Sequence, residues 1–143
     1  MKAAIYSRVM EEEQRYEFQV FFDELAAQKI EPVIFYPFYQ QIKDKLTLQG
    51  EVKTFSAPEH LTEEIEFIIS LGGDGTLLDT VTLVQDKEIA IMGINFGRLG
   101  FLASIGHEEV KRAVKAMAQR TFVVDKRTLI HVDASIPLFD NVP

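Results

Sequence analysis

Hydrophobic positions along the chain form two alternating patterns, short continuous apolar runs and longer segments with helical spacing. The apolar runs predict strands over residues 3–6, 30–36, 67–71 and 89–94, the second closed by Pro37. Helical spacing predicts helices over residues 11–29, 76–84 and 108–119, and part of 37–50 is also expected to be helical. Ser56 and Glu59 have capping-box spacing, which predicts a short helix there. Strands that alternate with helices through short connections predict an α/β fold with a parallel sheet covered on both faces.

The pattern changes near residue 122. Residues 122–125 and 128–133 look like extended segments with alternating apolar and polar positions. We therefore expect two units in the chain. The first is an α/β domain over residues 1–122, and the second is the first strands of an incomplete all-β domain over residues 123–143.

Two glycine-rich segments directly follow the two most apolar strands. The first reads GGDGT over residues 72–76, and the second lies within residues 95–100. Ligands of open parallel sheets bind beyond the carboxyl ends of the strands, so both segments are expected at the ligand-binding edge. Glycines permit positive φ angles and close approach of a ligand, and the amides at a helix start can bind an anion. The GGDGT segment therefore predicts a phosphate-binding turn.

The carboxylate of Asp74 restricts the chemistry of this turn. A carboxylate repels phosphate, but it can accept a proton from a hydroxyl or hold a metal ion that bridges phosphates. Both uses favour phosphoryl transfer, and the chain lacks the GxGxxG and GxxxxGK[ST] motifs of nicotinamide oxidoreductases and P-loop enzymes. Thr76 could cap the helix or bond a phosphate oxygen. The alternative interpretation is a structural turn in which Asp74 caps the following helix.

Charge and composition narrow the classes of partner. The net charge of −7 argues against a nucleic-acid-binding surface. The chain has no cysteine, and His60, His107 and His131 lack ligand spacing, so no thiolate or histidine metal site is predicted. No apolar run is long enough to cross a membrane and the start does not resemble a signal peptide, so we expect no membrane partner and a cytoplasmic location.

The GGDGT segment resembles the signature loop shared by NAD kinases and diacylglycerol-type lipid kinases, and in part by phosphofructokinases. The second segment, GINFGRLGFLA over residues 93–103, is similar to the NAD kinase pattern and not to the lipid-kinase pattern. Residues 125–130, DKRTLI, resemble the entry of that family into its β-domain. The resemblance covers residues 67–132 and implies a Rossmann-like or phosphofructokinase-like nucleotide-binding domain with NAD kinase activity.

The resemblance also implies roles for individual residues. Asp74 would be the general base on the 2′-hydroxyl of the adenosine ribose of NAD, which attacks the γ-phosphate of ATP in the presence of Mg²⁺. The implied NAD-binding residues are Asp74, Gly75, Leu78, Arg98 and Phe101. The implied ATP phosphate-binding residues are Gly72, Gly73 and Thr76. A homo-oligomer is implied for the full-length protein.

The sequence departs from the family pattern at two positions. Asp79 stands where many relatives carry a basic residue, and Arg98 stands where histidine is common. The family's asparagine–acidic pair, which grips adenine and ribose, is expected beyond residue 143, so the 143 residues alone are expected to turn over little. Two alternatives stay open, a lipid kinase that uses the same loop and a non-catalytic nucleotide-binding domain.

Overall fold

The computed structural model of the protein describes residues 1–97, 100 and 105–122. The strands in this part of the chain are β1 (Lys2–Tyr6), β2 (Glu31–Phe35), β3 (Lys53–Phe55), β4 (Ile65–Leu71), β5 (Ala90–Asn95) and β6 (Ile105–Gly106). The α-helices are α1 (Arg15–Ala27), α2 (Tyr36–Ile42), α3 (Asp74–Val84) and α4 (Val110–Gln119). Short 3₁₀ turns cover Glu12–Gln14, Pro58–His60 and His107–Glu109.

The strands form one sheet in the order β3-β2-β1-β4-β5-β6, and every pair of neighbours is parallel. The central strands are almost entirely buried, as expected for strands that pack helices on both faces. The prediction of a parallel α/β sheet is therefore confirmed. Residues 123–143, where an all-β domain was expected to begin, lie outside the described part of the chain.

Each face of the sheet has its own hydrophobic core. Helices α1, α2 and α4 cover one face, and their core is rich in phenylalanine. Helix α3 and the 3₁₀ turn at Pro58–His60 lie on the other face, over a smaller apolar cluster. Phe122 packs edge-on against Phe67 of β4, with ring centroids 5.1 Å apart, so the chain still contacts the α/β core at that residue.

Several predicted boundaries are wrong for local reasons. Pro37 does not close a strand, because it occupies the first turn of α2, where the missing proline N–H costs nothing. The turn after Ser56 begins later than predicted, with Ala57 at its N-cap, and the Ser56 N–H donates to His60 Nδ1 over 3.0 Å. Strands β3 and β6 were not predicted. They contain three and two residues, which is too short for a periodic signal.

Candidate active site

The sheet order creates a crevice between the ends of β1 and β4. From these two neighbouring strands the chain proceeds outward in opposite directions, and such a reversal is where open parallel sheets bind ligands. Tyr6 at the end of β1 pairs with Ser70 near the end of β4. The buried Ser7 hydroxyl then donates to the Leu71 carbonyl over 2.7 Å. This bond joins the two strand ends directly below the GGDGT turn.

The GGDGT turn depends on its first glycine. Gly72 has a φ of +151°, which residues with a side chain rarely adopt. Its N–H donates to the Ile94 carbonyl over 2.9 Å. A Cβ at Gly72 would lie 2.6 Å from the Thr76 hydroxyl oxygen. Thr76 is buried, so its side chain packs beneath the turn and supports it. Contact between Thr76 and a donor phosphate stays a prediction.

Asp74 is the first residue of α3, and Gly73 is the N-cap. The alternative in which Asp74 caps the helix is therefore wrong, because the capping position belongs to the residue before it. Asp74 is half-buried, and Leu78, one turn further along α3, is 53% exposed. A Cβ at Gly73 would meet no atom within 4 Å, so open space adjoins the turn. The start of α3 thus combines a carboxylate, an exposed apolar side chain and room beside the backbone.

The second glycine-rich segment approaches the first, as the sequence predicted. Asn95, at the end of β5, is buried, and its Oδ1 accepts the Gly97 N–H over 2.9 Å. A Cβ at Gly100 would lie 2.5 Å from Oδ1 of Asp74. A side chain at position 100 would therefore require the Asp74 carboxylate to move. Arg98 and Phe101, the two implied NAD-binding residues of this segment, lie outside the described residues.

Sequence reasoning missed a polar cluster at the end of β1. Arg8 binds the Asp79 carboxylate with two nitrogens, Nε to Oδ2 over 2.5 Å and Nη2 to Oδ1 over 2.9 Å. The Tyr6 hydroxyl donates to Oδ2 of the same carboxylate over 2.7 Å. The hydrogen bond from Arg8 lowers the pKa of the Asp79 carboxyl. The pKa of the Tyr6 phenol is raised, mainly because the group is partly buried and also because it donates a hydrogen bond to Asp79. Asp79 therefore faces a cation supplied by the chain itself.

The site can be tested for its fit to a divalent metal ion. Among the described residues, no group of three or more His, Cys, Asp or Glu side chains could hold a metal ion. Mg²⁺ in nucleotide-dependent enzymes is commonly held by one or two carboxylates together with substrate phosphates. A metal carried by the phosphates, with Asp74 as the nearby carboxylate, fits this site. A cage made only of protein ligands does not fit the described residues.

Comparison with known proteins assigns the family. Residues 7–122 match the ATP-NAD kinase N-terminal domain. The chain belongs to the NAD kinase family. The matched region contains both glycine-rich segments and every strand after β1, so it includes the whole crevice apart from the first strand.

Individual NAD kinases match over most of this chain but only part of their own length. The NAD kinase of Flavobacterium psychrophilum is 35% identical over 106 residues, which cover 74% of this chain and 36% of that protein. The NAD kinase of Flavobacterium johnsoniae is 30% identical over 130 residues, which cover 91% of this chain and 44% of that protein. The chain therefore spans less than half the length of these curated relatives.

A solved structure shares the fold. The crystal structure of yeast NADH kinase complexed with NADH superposes with a TM-score of 0.69 at 17% sequence identity, covering 83% of this chain and 38% of that chain. At this identity the likeness concerns the fold of the NAD kinase domain alone. Within the described part of the chain, none of the helices is long and apolar enough to cross a membrane.

Proposed function

We propose that the full-length protein is an NAD kinase that transfers the γ-phosphate of ATP to the 2′-hydroxyl of the adenosine ribose of NAD, giving NADP. The observation that carries the proposal is the position of Asp74. This half-buried carboxylate begins α3 at the crevice between β1 and β4, on the GGDGT turn of a chain that belongs to the NAD kinase family. In this proposal, Asp74 is the acid–base group beside which the hydroxyl substrate would lie.

In the proposed reaction, one carboxylate oxygen of Asp74 accepts the proton of the ribose 2′-hydroxyl. The hydroxyl oxygen forms a new bond to the γ-phosphorus as the bond between that phosphorus and the β,γ-bridging oxygen breaks, and ADP leaves with the electron pair. A general base in this role typically contributes about 10²–10⁴-fold to the rate. A divalent metal ion bound to the phosphates would neutralise their charge.

The remaining site residues have roles in binding and positioning. Leu78 offers exposed apolar area one turn from Asp74, which suits the adenosine side of NAD, together with Gly75. The first amides of α3 lack acceptors inside the helix, which suits donor phosphates beside Gly73, the N-cap. The N–H of Gly72 donates to the Ile94 carbonyl, so Gly72 would admit the phosphates through its lack of a side chain. Arg98 and Phe101 are proposed as further NAD contacts from their position in the second glycine-rich segment. A cytoplasmic location and a homo-oligomeric state complete the proposal.

The lipid-kinase alternative is not favoured, because the family match and the named relatives are NAD kinases. The asparagine–acidic pair expected to grip adenine and ribose has no counterpart among the predicted site residues of this chain. We therefore propose that the 143 residues alone turn over little.

The test is the substitution Asp74→Asn in the full-length protein. It keeps the size of the side chain and removes its ability to take a proton, so we expect kcat for NADP formation to fall about 10²–10⁴-fold. The KM for NAD should change little, because the base acts in the transition state. Measurement of NADP formation with ATP, Mg²⁺ and NAD decides the outcome.

Asp86→Asn is the matched control, since Asp86 is an exposed aspartate just beyond the other end of α3. It should leave kcat unchanged. Retention of wild-type kcat by the Asp74→Asn variant would remove Asp74 from the mechanism.

A further inference from the structure

We infer that Arg8 and Asp79 are positioning residues that hold the amino-terminal turns of α3, and with them Asp74, against the end of β1. The inference rests on the proposed function for its kinetic consequence. The contacts themselves are local and specific: the Arg8 guanidinium binds both carboxylate oxygens of Asp79, and its Nη2 also donates to the Gly75 carbonyl over 3.3 Å. Tyr6 adds a third hydrogen bond to Asp79.

These contacts join two residues of α3 that lie one turn apart. Gly75 and Asp79 are at positions i and i+4, so they share one side of the helix. Arg8 reaches both of them from the loop after β1, and a Cβ at Gly75 would lie 3.2 Å from its Nη1. The absence of a side chain at Gly75 therefore lets the guanidinium lie close along this side of the helix.

A second row of contacts holds α3 from a different direction. Thr76, Thr80 and Val84 also follow i, i+4 spacing, and they are the buried residues of the helix. This row is offset from Gly75 and Asp79 by one residue, or about 100° around the helix axis. Two rows at this angle fix the rotation of α3, whereas the buried row alone would leave the helix able to roll on the sheet. Asp74, directly before Gly75, turns with the helix.

The Arg8–Asp79 pair, here called the tether, is better suited to positioning α3 than to stabilising the fold. Side chains in the pair are 57% exposed at Arg8 and 30% exposed at Asp79, and ion pairs of this kind add little to the stability of a fold. Reaction rate depends far more steeply on geometry, since a misplacement of about 1 Å can cost about 10²-fold in rate. The pair is therefore expected to show a large kinetic effect with a small thermal effect.

The chain offers a closely matched control pair. Arg120 and Glu66 form an ion pair of 2.7 Å with side-chain exposures of 58% and 37%. Glu66 is the second residue of β4 and Arg120 follows α4, so this pair lies at the amino-terminal end of β4, away from the GGDGT turn. Loss of this pair removes the same type of contact without touching α3.

The experiment compares Asp79→Asn, Arg8→Gln and their double variant with Glu66→Gln, all in the full-length protein. We expect Asp79→Asn and Arg8→Gln each to lower kcat for NADP formation about tenfold or more, with melting temperatures close to wild type. The double variant should lose no more activity than either single variant, because both changes release the same tether. Glu66→Gln should leave kcat unchanged.

Amide hydrogen exchange of the peptide that spans residues 74–79 gives a second readout that does not need catalysis. Exchange should be faster in both tether variants than in wild type and unchanged in Glu66→Gln. Equal exchange in all variants, or a kcat within twofold of wild type for Asp79→Asn, would overturn the inference. So would an additional loss in the double variant with a raised KM for NAD or ATP, because that result would make Arg8 a direct substrate contact. Absence of NADP formation by the wild-type protein would refute the proposed function, and the exchange comparison would still decide whether the tether holds α3.

Discussion

The hydrophobic cores on the two faces of the sheet differ in size and in the side chains that form them. The face covered by α1, α2 and α4 is packed with large aromatic side chains, and Phe18, Phe21 and Phe38 are at most 1% exposed. The face covered by α3 has a smaller apolar cluster, and α3 turns two threonines, Thr76 and Thr80, toward the interior. The candidate catalytic residue, Asp74, is the first residue of α3. A strong core on one face thus leaves the other face able to hold its helix with a few polar contacts.

This division explains the arrangement around the GGDGT turn. Burial of apolar area is not directional, so it only weakly restricts the rotation of a helix about its own axis. Hydrogen bonds and ion pairs require a defined geometry and restrict that rotation more strongly. On the α3 face, such contacts are the Arg8–Asp79 pair, the Tyr6 bond to Asp79 and the Arg8 bond to the Gly75 carbonyl. Stability and geometry of the site are therefore supplied from opposite sides of the sheet.

The largest expected effect on stability belongs to the aromatic face. Phe21→Ala empties a fully buried site beside Phe22, whose ring centroid lies 5.2 Å away. The free energy of unfolding should fall by about 3–5 kcal/mol, because both buried area and packing contacts are lost. Denaturant unfolding of the full-length protein measures this value. A larger loss from Val84→Ala, on the α3 face, would contradict the proposed division of the two cores.

A smaller effect is expected at the turn itself. Gly72→Ala places a side chain on a residue with a φ of +151° and brings a methyl group to 2.6 Å from the Thr76 hydroxyl. Backbone strain of this kind costs about 1–3 kcal/mol. We expect a lower melting temperature together with reduced NADP formation. Gly73→Ala is the control, since its φ is −89° and a Cβ there meets no atom within 4 Å; a thermal loss equal to that of Gly72→Ala would argue against strain as the cause.

The smallest effect is expected from Ser70→Ala, in the opposite direction. Ser70 is fully buried in β4, and its hydroxyl has no hydrogen-bond partner among the described residues. By strand alternation it faces the same side as Ile68, toward α3. Because burial of an unpaired hydroxyl opposes folding, the substitution should raise the free energy of unfolding by up to about 1 kcal/mol. A clear decrease in melting temperature would show that this hydroxyl supports the α3 face.

The sequence predicted the strands that are buried on both faces, but not the short strands at the edges of the sheet. The apolar run over residues 67–71 predicted β4 because a strand buried on both faces needs no polar positions. Strand β3 has two exposed residues among its three, so it carries no such signal and owes its place to pairing with β2. Pro37 misled the prediction because proline is compatible with both a strand end and a helix start.

The candidate site was predictable in its centre and not in its surroundings. Asp74 and Gly100 belong to glycine-rich segments that follow buried strands, and the structure brings their atoms together. Arg8 and Asp79 are separated by 71 residues; Arg8 belongs to no motif, and Asp79 was noted only as a departure from the family pattern. Their contact depends on β1 lying next to β4, which only the order of strands in the sheet determines. The roles of the individual site residues stay predictions until the variants above are measured.

The pairing of β1 with β4 has a consequence for how the protein folds. Ile5 lies beside Ile69 in this register, so the crevice closes only when segments more than sixty residues apart in the chain have met. Contacts between distant segments form slowly, because the entropy of closing the intervening loop is lost before the contact is gained. A nascent chain that contains only the first half of the sequence can therefore pack β1, α1 and β2 together, but it lacks the crevice between β1 and β4. Ligand-binding ability should emerge in a single late step, when β4 docks beside β1.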